Sequence, residues 1–198
     1  MLSSEALGHD KCPRCLFQRR VCICPDIPRV PTTTRVVIVR HHLEQHRSSN
    51  SGRLAHFALP NSEIVDHGGR GGPAVLPPLD GAYLVYPIGE PVTAPPTPLP
   101  KQLVFLDATW SQARRMFRKI DALRGLPILH LPYEEAHIVR MRAAPTAGHV
   151  STIEAIARAL RLLEGDAVAR PLEELFNAAV GRAIATGRTP AGSEDSDS

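Results

Sequence analysis

The sequence predicts an α/β protein: a mainly parallel sheet with helices on both faces. Three observations carry that expectation. Short apolar runs at 35–40, 62–67, 82–86, 102–106 and 127–131 have the length of strands, and the first is strongly β-branched. Several of them are separated by stretches long enough for a crossover, and some of those stretches repeat apolar residues every three or four positions, the period of a helix. The runs near Pro87, Asp107 and Leu131 stop at a polar or proline turn, as strands do where an open α/β sheet places its ligands.

With 198 residues, 43% of them hydrophobic and 22% charged, the chain is long enough for one substantial core and not for two. No apolar run approaches the roughly 20 residues that cross a bilayer, and the N-terminus lacks the apolar centre of a signal peptide. The expectation is a soluble, cytoplasmic protein without membrane contact. Formal charge is +3, and the acids Glu194, Asp195 and Asp197 sit in the last six residues, so the body is more basic than the total. A basic face is compatible with a phosphate-bearing partner but is more often only solvated.

Taken in order, the first element is a knuckle. Cys12, Cys15, Cys22 and Cys24 are all the cysteines of the chain. Thiolates converging from two tight loops match the closed tetrahedral shell of a structural zinc site; two disulfides or four free thiols are the alternative. A chain without an export signal lives where thiols stay reduced, which favours zinc. Arg14, Arg19, Arg20 and Arg29 surround the knuckle, either to rest on RNA phosphates or to keep a small module soluble. The strand at 35–40 ends in His41, His42 and Glu44, and Asn50 is placed to cap a helix running to about residue 59. The glycine-rich stretch 68–72 fits neither a dinucleotide fingerprint nor a P-loop and reads as linker. A proline-rich stretch, 91–100, is a rigid crossing to the strand that carries Asp107.

A helix is expected over 109–123, with Trp110, Ala113, Met116, Phe117, Ile120 and Leu123 on one face and Arg114, Arg115, Arg118 and Lys119 opposite. Asp107 or Thr109 can cap this helix while Trp110 fills the core, or Asp107 can face a ligand. Ser151 and Glu154 form a capping box that opens a helix to about residue 163. A last amphipathic helix is expected at 171–185, and the polar, acidic 187–198 reads as disordered.

Asp107-Ala108-Thr109-Trp110 followed by a basic helix resembles the signature of the DTW-domain family, the tRNA-uridine aminocarboxypropyltransferases. The resemblance extends to His41, Glu44, Asn50, Gly52, Arg53 and Leu54, with Ser51 where the family carries Thr, and to Arg140, Arg142, Ser151, Thr152 and Glu154. It covers the chain from Cys12 to about Leu160. It implies a fold related to SPOUT methyltransferases with a C-terminal trefoil knot, although general rules argue against knots. The domains expected are a zinc knuckle at 1–28, a catalytic domain at 32–186 and the acidic tail at 187–198.

The implied reaction moves the 3-amino-3-carboxypropyl group of S-adenosylmethionine to N3 of a tRNA uridine. Methylthioadenosine leaves as a neutral thioether, so no general acid and no catalytic metal are required. The family pattern then assigns Asp107, Thr109 and Trp110 to catalysis, with Asp107 the candidate base if Trp110 and the apolar strand raise its pKa, or else a partner of the cofactor's amino group. Pro87, Gly89, Leu131, Pro132, Arg140, Ser151, Thr152 and Glu154 are assigned to the cofactor. His41, Glu44, Asn50, Arg53, Arg114, Arg115, Arg118 and Arg142 are assigned to RNA. A SPOUT-type RNA methyltransferase and a non-catalytic, zinc-containing RNA-binding module are the alternatives.

Overall fold

Alternation along the central strands decides how the layers form. In the computed structural model, which describes residues 10–132 and 150–186, the strands are β1 (Arg35–His41), β2 (Ser62–His67), β3 (Ala82–Val85), β4 (Gln102–Asp107) and β5 (Ile128–Leu129). They form one sheet in the order β2-β1-β4-β3-β5, and every pairing is parallel. The helices are α1 (Ser51–Ala58), α2 (Trp110–Lys119), α3 (Asp121–Arg124), α4 (Thr152–Glu164) and α5 (Asp166–Ile184). Val36 and Ile38 of β1, with Leu103 and Phe105 of β4, pack against α1, α4 and α5. Their neighbours Val37, Val39 and Val104 face the other way, onto α2 and α3. Covering both faces is why these strands read as unbroken apolar runs, and each fully buried side chain of this kind stabilises the fold by about 1.5–3 kcal/mol.

The connections leave the two central strands on opposite faces. From β1 the chain crosses through α1 outward to β2; from β4 it crosses through α2 and α3 over β3 to β5. The carboxyl ends of β1 and β4 therefore flank a topological switch point, the usual place for a crevice in such sheets.

Three expectations shift. The single helix expected over 109–123 breaks at Ile120, whose extended angles (φ −94°, ψ 98°) end α2 and open α3 while its side chain and that of Leu123 stay buried. The last helix begins at Asp166 and not at Pro171, because Gly165 (φ +92°) turns the chain and Asp166 bonds Arg161 and Arg170; Pro171 is carried inside the helix. The strand at 127–131 shortens to the pair Ile128–Leu129, leaving Leu131 and Pro132 free of the ladder.

The knuckle is continuous with the main core. Cys15, Phe17 and Ile23 are buried in the same cluster as α1, α4 and α5. Arg182 of α5 donates to the Cys22 carbonyl and to the Asp26 carboxylate, and the Arg14 guanidinium lies 4.8 Å from the centre of the Phe57 ring. The boundary expected after residue 28 is thus bridged by packing. The C-terminal trefoil knot that the resemblance implies and the disordered tail expected at 187–198 lie outside the described residues. Among the described residues no helix is long and apolar enough to cross a membrane.

Candidate active site

Asp107 is the last residue of β4, two positions beyond Phe105, so alternation turns it toward α1 and α4 and away from α2. It is only 4% exposed. Two helix starts close over it. Asn50, the N-cap of α1, accepts from the Arg53 N–H on Oδ1 at 2.7 Å and donates from Nδ2 to Asp107 Oδ2. Thr152, the first residue of α4, donates from Oγ1 to Asp107 Oδ1 at 2.7 Å. Ser51 Oγ accepts from the Ile153 N–H at 3.4 Å, tying the two helix starts together with the hydroxyl that stands in for the family's Thr. Gly52 faces the carboxylate so closely that a Cβ there would lie 2.8 Å from Asp107 Cγ.

Burial raises the Asp107 pKa and wins over the hydrogen bonds from Asn50 and Thr152, which lower it. The elevation expected from the sequence is present. The cover comes from α1 and α4, whose Asn50, Gly52 and Thr152 meet the carboxylate, while Trp110, the first residue of α2, lines the neighbouring cavity.

Trp110 lines a cavity of about 400 Å³ at the carboxyl ends of β3, β4 and β5. Val85, Leu106, Leu131 and Pro132 supply apolar walls, and Ser151, Thr152 and Arg158 of the α4 start supply polar ones. Asp107 does not line this space; Thr152 stands between them, its hydroxyl proton spent on Asp107 and its oxygen free to accept from the cavity side. Beyond Tyr86, Pro87 and Trp110 lies a wider groove of about 780 Å³, flanked by Arg114, Arg115 and Arg118. Burial raises the Tyr86 phenol against the pull of Arg114 and Arg118.

In the knuckle, the Cys12–Cys24 and Cys15–Cys22 sulfurs are 3.7 Å apart, and all four lie within 4.8 Å of one another. A tetrahedron of metal–sulfur bonds of about 2.3 Å has edges of about 3.8 Å, so the cluster fits a metal. Burial works against ionisation of Cys12, but the backbone N–H groups of Cys15 and Arg14 outweigh it and bring the thiol down to about 6.

A family model described as "DTW domain" matches residues 9–184. The chain belongs to the DTW domain family. It is 28% identical to tRNA-uridine aminocarboxypropyltransferase 2 of Macaca fascicularis over 184 residues, covering 83% of this chain and 62% of that protein. The enzyme of the same name from Drosophila melanogaster is also 28% identical, with 84% and 73% covered. tRNA-uridine aminocarboxypropyltransferase A of Arabidopsis thaliana is 25% identical over 193 residues, with 78% and 73% covered. The chain therefore spans less than two thirds of the macaque relative's length. No solved structure matches it.

The DTW signature divides between two environments. Asp107 is enclosed; Thr109 is the N-cap of α2, its N–H donating to Gln112 Oε1 at 2.9 Å; Trp110 faces the cavity. Of the residues expected at the cofactor, Pro87, Leu131, Pro132, Ser151 and Thr152 line the cavity. Gly89 stands back from it, its carbonyl bonded to His130 Nδ1 at 2.7 Å. Glu154 is 4% exposed and accepts from the Ser151 N–H through Oε2 at 2.7 Å, while its Oε1 has no partner among the described residues. Arg140 and Arg142 lie outside the described residues.

The residues expected on RNA separate as sharply. Arg114 and Arg115 of α2 are exposed, and Arg118 lies with them along the groove. Asn50, Arg53 and Glu44 are buried, unlike the exposed cations of α2. Arg53 donates to the carbonyls of Gln45 and Arg47, holding the loop before α1, and burial and nearby Arg40 bring its pKa down to about 10. His41 is half-buried, its Nδ1 accepting from the Leu43 N–H, with its pKa lowered by burial and by His42. Tyr86 and Arg158 went unassigned in the sequence. A signal existed for each: Tyr86 ends a strand at the ligand edge, and Arg158 lies on the same face of α4 as Ser151 and Ala155.

Proposed function

We propose that this chain transfers the 3-amino-3-carboxypropyl group of S-adenosylmethionine to N3 of a uridine in tRNA, releasing methylthioadenosine. The observation that carries the reading is the meeting of a mostly apolar cavity with a cationic groove at Trp110, in a DTW-family chain whose relatives bear that enzyme name.

The cavity suits the donor. Val85, Leu106, Leu131 and Pro132 would take the adenosine, and Arg158 with the positive end of α4 would take the carboxylate, since the helix dipole favours an anion at its N-terminus. When bound, the donor supplies a sulfonium whose amino-acid arm is activated for transfer. The residues of the chain then have four tasks. The apolar walls exclude water, which strengthens every polar contact inside. Thr152, its proton held by Asp107, offers its oxygen as an acceptor toward the cavity. Asp107, with a raised pKa, is a proton store at the end of that hydroxyl and, through it, the candidate base for the uridine imide. Arg114, Arg115 and Arg118 hold the RNA backbone in a salt-sensitive mode.

Incubation with S-adenosylmethionine and tRNA tests the reading. Nucleoside mass spectrometry should show a uridine heavier by one aminocarboxypropyl unit, with methylthioadenosine in the supernatant. S-adenosylhomocysteine as the spent donor would instead mark a methyltransferase, and neither product would leave a binding module. We further assign a zinc ion to Cys12, Cys15, Cys22 and Cys24, in a reducing compartment such as the cytoplasm. Elemental analysis should find one zinc per chain. A strong chelator should remove it and lower the melting temperature of the whole protein in one transition, because the knuckle shares the core of α1 and α5.

A further inference from the structure

Tyr86, Pro87 and Trp110 line both the cavity and the groove. An occupant of one space therefore lies against an occupant of the other across a single aromatic wall. The two spaces differ in kind. The cavity, about 400 Å³, is bounded by strand ends and the first turn of α4; the groove, about 780 Å³, is bordered by three guanidinium groups of α2. A polynucleotide backbone, with a phosphate on every residue, finds three guanidinium groups along the groove, against the single Arg158 among the described residues that line the cavity. A base inside a helical stack, in turn, shows its edge to its pairing partner and cannot reach this wall while its phosphates rest on α2. Reaching it requires leaving the stack.

The wall is built to receive such a base. The Tyr86 ring, 8% exposed, is stacked on Phe117 with centroids 5.0 Å apart and 18° between planes, which fixes its orientation and leaves Trp110 the larger part of the wall's contact with a base. Trp110 is the first residue of α2, so its indole is held by the helix whose next turns carry Arg114, Arg115 and Arg118. Aromatic faces beside cations are how proteins hold unpaired nucleotides.

We propose that Tyr86 and Trp110 form an acceptor subsite for one extruded nucleotide, with its flanking phosphates on Arg114 and Arg118. This rests on the transfer reading above for the identity of the base, uridine, but not for the existence of the subsite.

Trp110 is the single tryptophan of the chain, so intrinsic fluorescence reports on this wall alone. The experiment uses the full chain saturated with S-adenosylhomocysteine, titrated with single-stranded heptauridylate or with the same strand annealed to its complement. The single strand should quench Trp110 saturably, and the duplex should do so at least tenfold more weakly. Tyr86→Phe should keep the affinity for the single strand within about twofold, and Tyr86→Leu should weaken it about fivefold or more, the loss of one stacking partner. An absent quench overturns the proposal, as does equal quenching by the duplex. Strand binding seen by anisotropy with Trp110 emission unmoved overturns it too, even if the Leu variant misfolds. Calorimetry showing no binding of S-adenosylmethionine, beside a normal quench by the strand, would instead overturn the transfer reading and leave the subsite standing.

Discussion

The strand end at Asp107 and the helix start at Trp110 are three residues apart and chemically opposite. Asp107 is sealed under α1 and α4, both oxygens engaged by side chains from other elements. Trp110 opens onto solvent-connected space with exposed cations behind it. The difference teaches that one contiguous signature can serve two kinds of selection. Its first residue locks three elements together and tunes a carboxyl group, whereas its last residue forms a wall between two ligand spaces. Substitutions on the first side should act through stability and proton affinity; those on the second should act through binding, with the fold left alone.

The largest effect is expected at Asp107. Asp107→Ala strands the Asn50 amide and the Thr152 hydroxyl in a buried site, and each unsatisfied donor costs about 1–3 kcal/mol. Against a total stability of about 5–15 kcal/mol, that is enough to lower the melting temperature by many degrees. Asp107→Asn keeps the volume and separates the roles. As a base, its loss should reduce turnover about a hundredfold or more with donor affinity nearly unchanged, measured by single-turnover kinetics beside calorimetry. Equal losses in donor affinity and turnover would make Asp107 an anchor only.

Next comes Gly52→Ala. Its φ is not positive, so the change tests space alone: the new methyl would lie 2.8 Å from Asp107 Cγ and 2.9 Å from Oδ2. Overpacking of this kind costs about 1–3 kcal/mol, read by urea denaturation. An unchanged midpoint would mean that the two helix starts are not clamped on the carboxylate.

A smaller effect is expected in the pH dependence of stability. The folded state holds the Asp107 proton more tightly than the unfolded chain does, because burial raises its pKa. Folded Asp107 therefore contributes most below the ordinary aspartate range, and that contribution is lost as pH rises through the elevated folded value. Glu164 acts in the opposite sense. Burial opposes its charge, but hydrogen bonds from Thr33 and Thr34 prevail and lower its pKa, so its contribution is lost as pH falls. Wild type minus Asp107→Asn should show stability declining with rising pH over the first window; a flat difference would place the proton elsewhere.

How far the sequence could be read follows the same division. The strands were legible because burial on both faces leaves an unbroken apolar run, and helix starts were legible from Asn50 and from the Ser151–Glu154 box. The partners of Asp107 were not, since Asn50 is 57 residues away and Thr152 is 45 residues away in the opposite direction. Only the crossover of α1 and the return of α4 bring them together. Arg53 misled for a related reason: a guanidinium reads as surface, and its role as a buried clip on the Gln45 and Arg47 carbonyls depends on a loop path that periodicity does not encode. The break at Ile120 was hidden because its side chain stays on the apolar stripe even where the backbone leaves the helix.

The smallest effect on the fold, and the sharpest on function, is expected from changing Arg114, Arg115 and Arg118 together to Ala. The Arg115 and Arg118 side chains hydrogen-bond to helix carbonyls one turn back, Arg115 to Ser111 and Arg118 to Arg114, and these bonds join no other element to α2. Surface changes of this kind stay within about 0.5 kcal/mol each, and Ala is the better helix former, so melting should barely move. RNA affinity should fall, and the slope of log affinity against log salt should flatten by about 0.7 for each single-strand phosphate that the variant no longer neutralises. Donor affinity, set in the cavity on the other side of Trp110, should hold. If it fell with RNA binding, Tyr86, Pro87 and Trp110 would be transmitting the change, and the wall would be a coupling element rather than a partition.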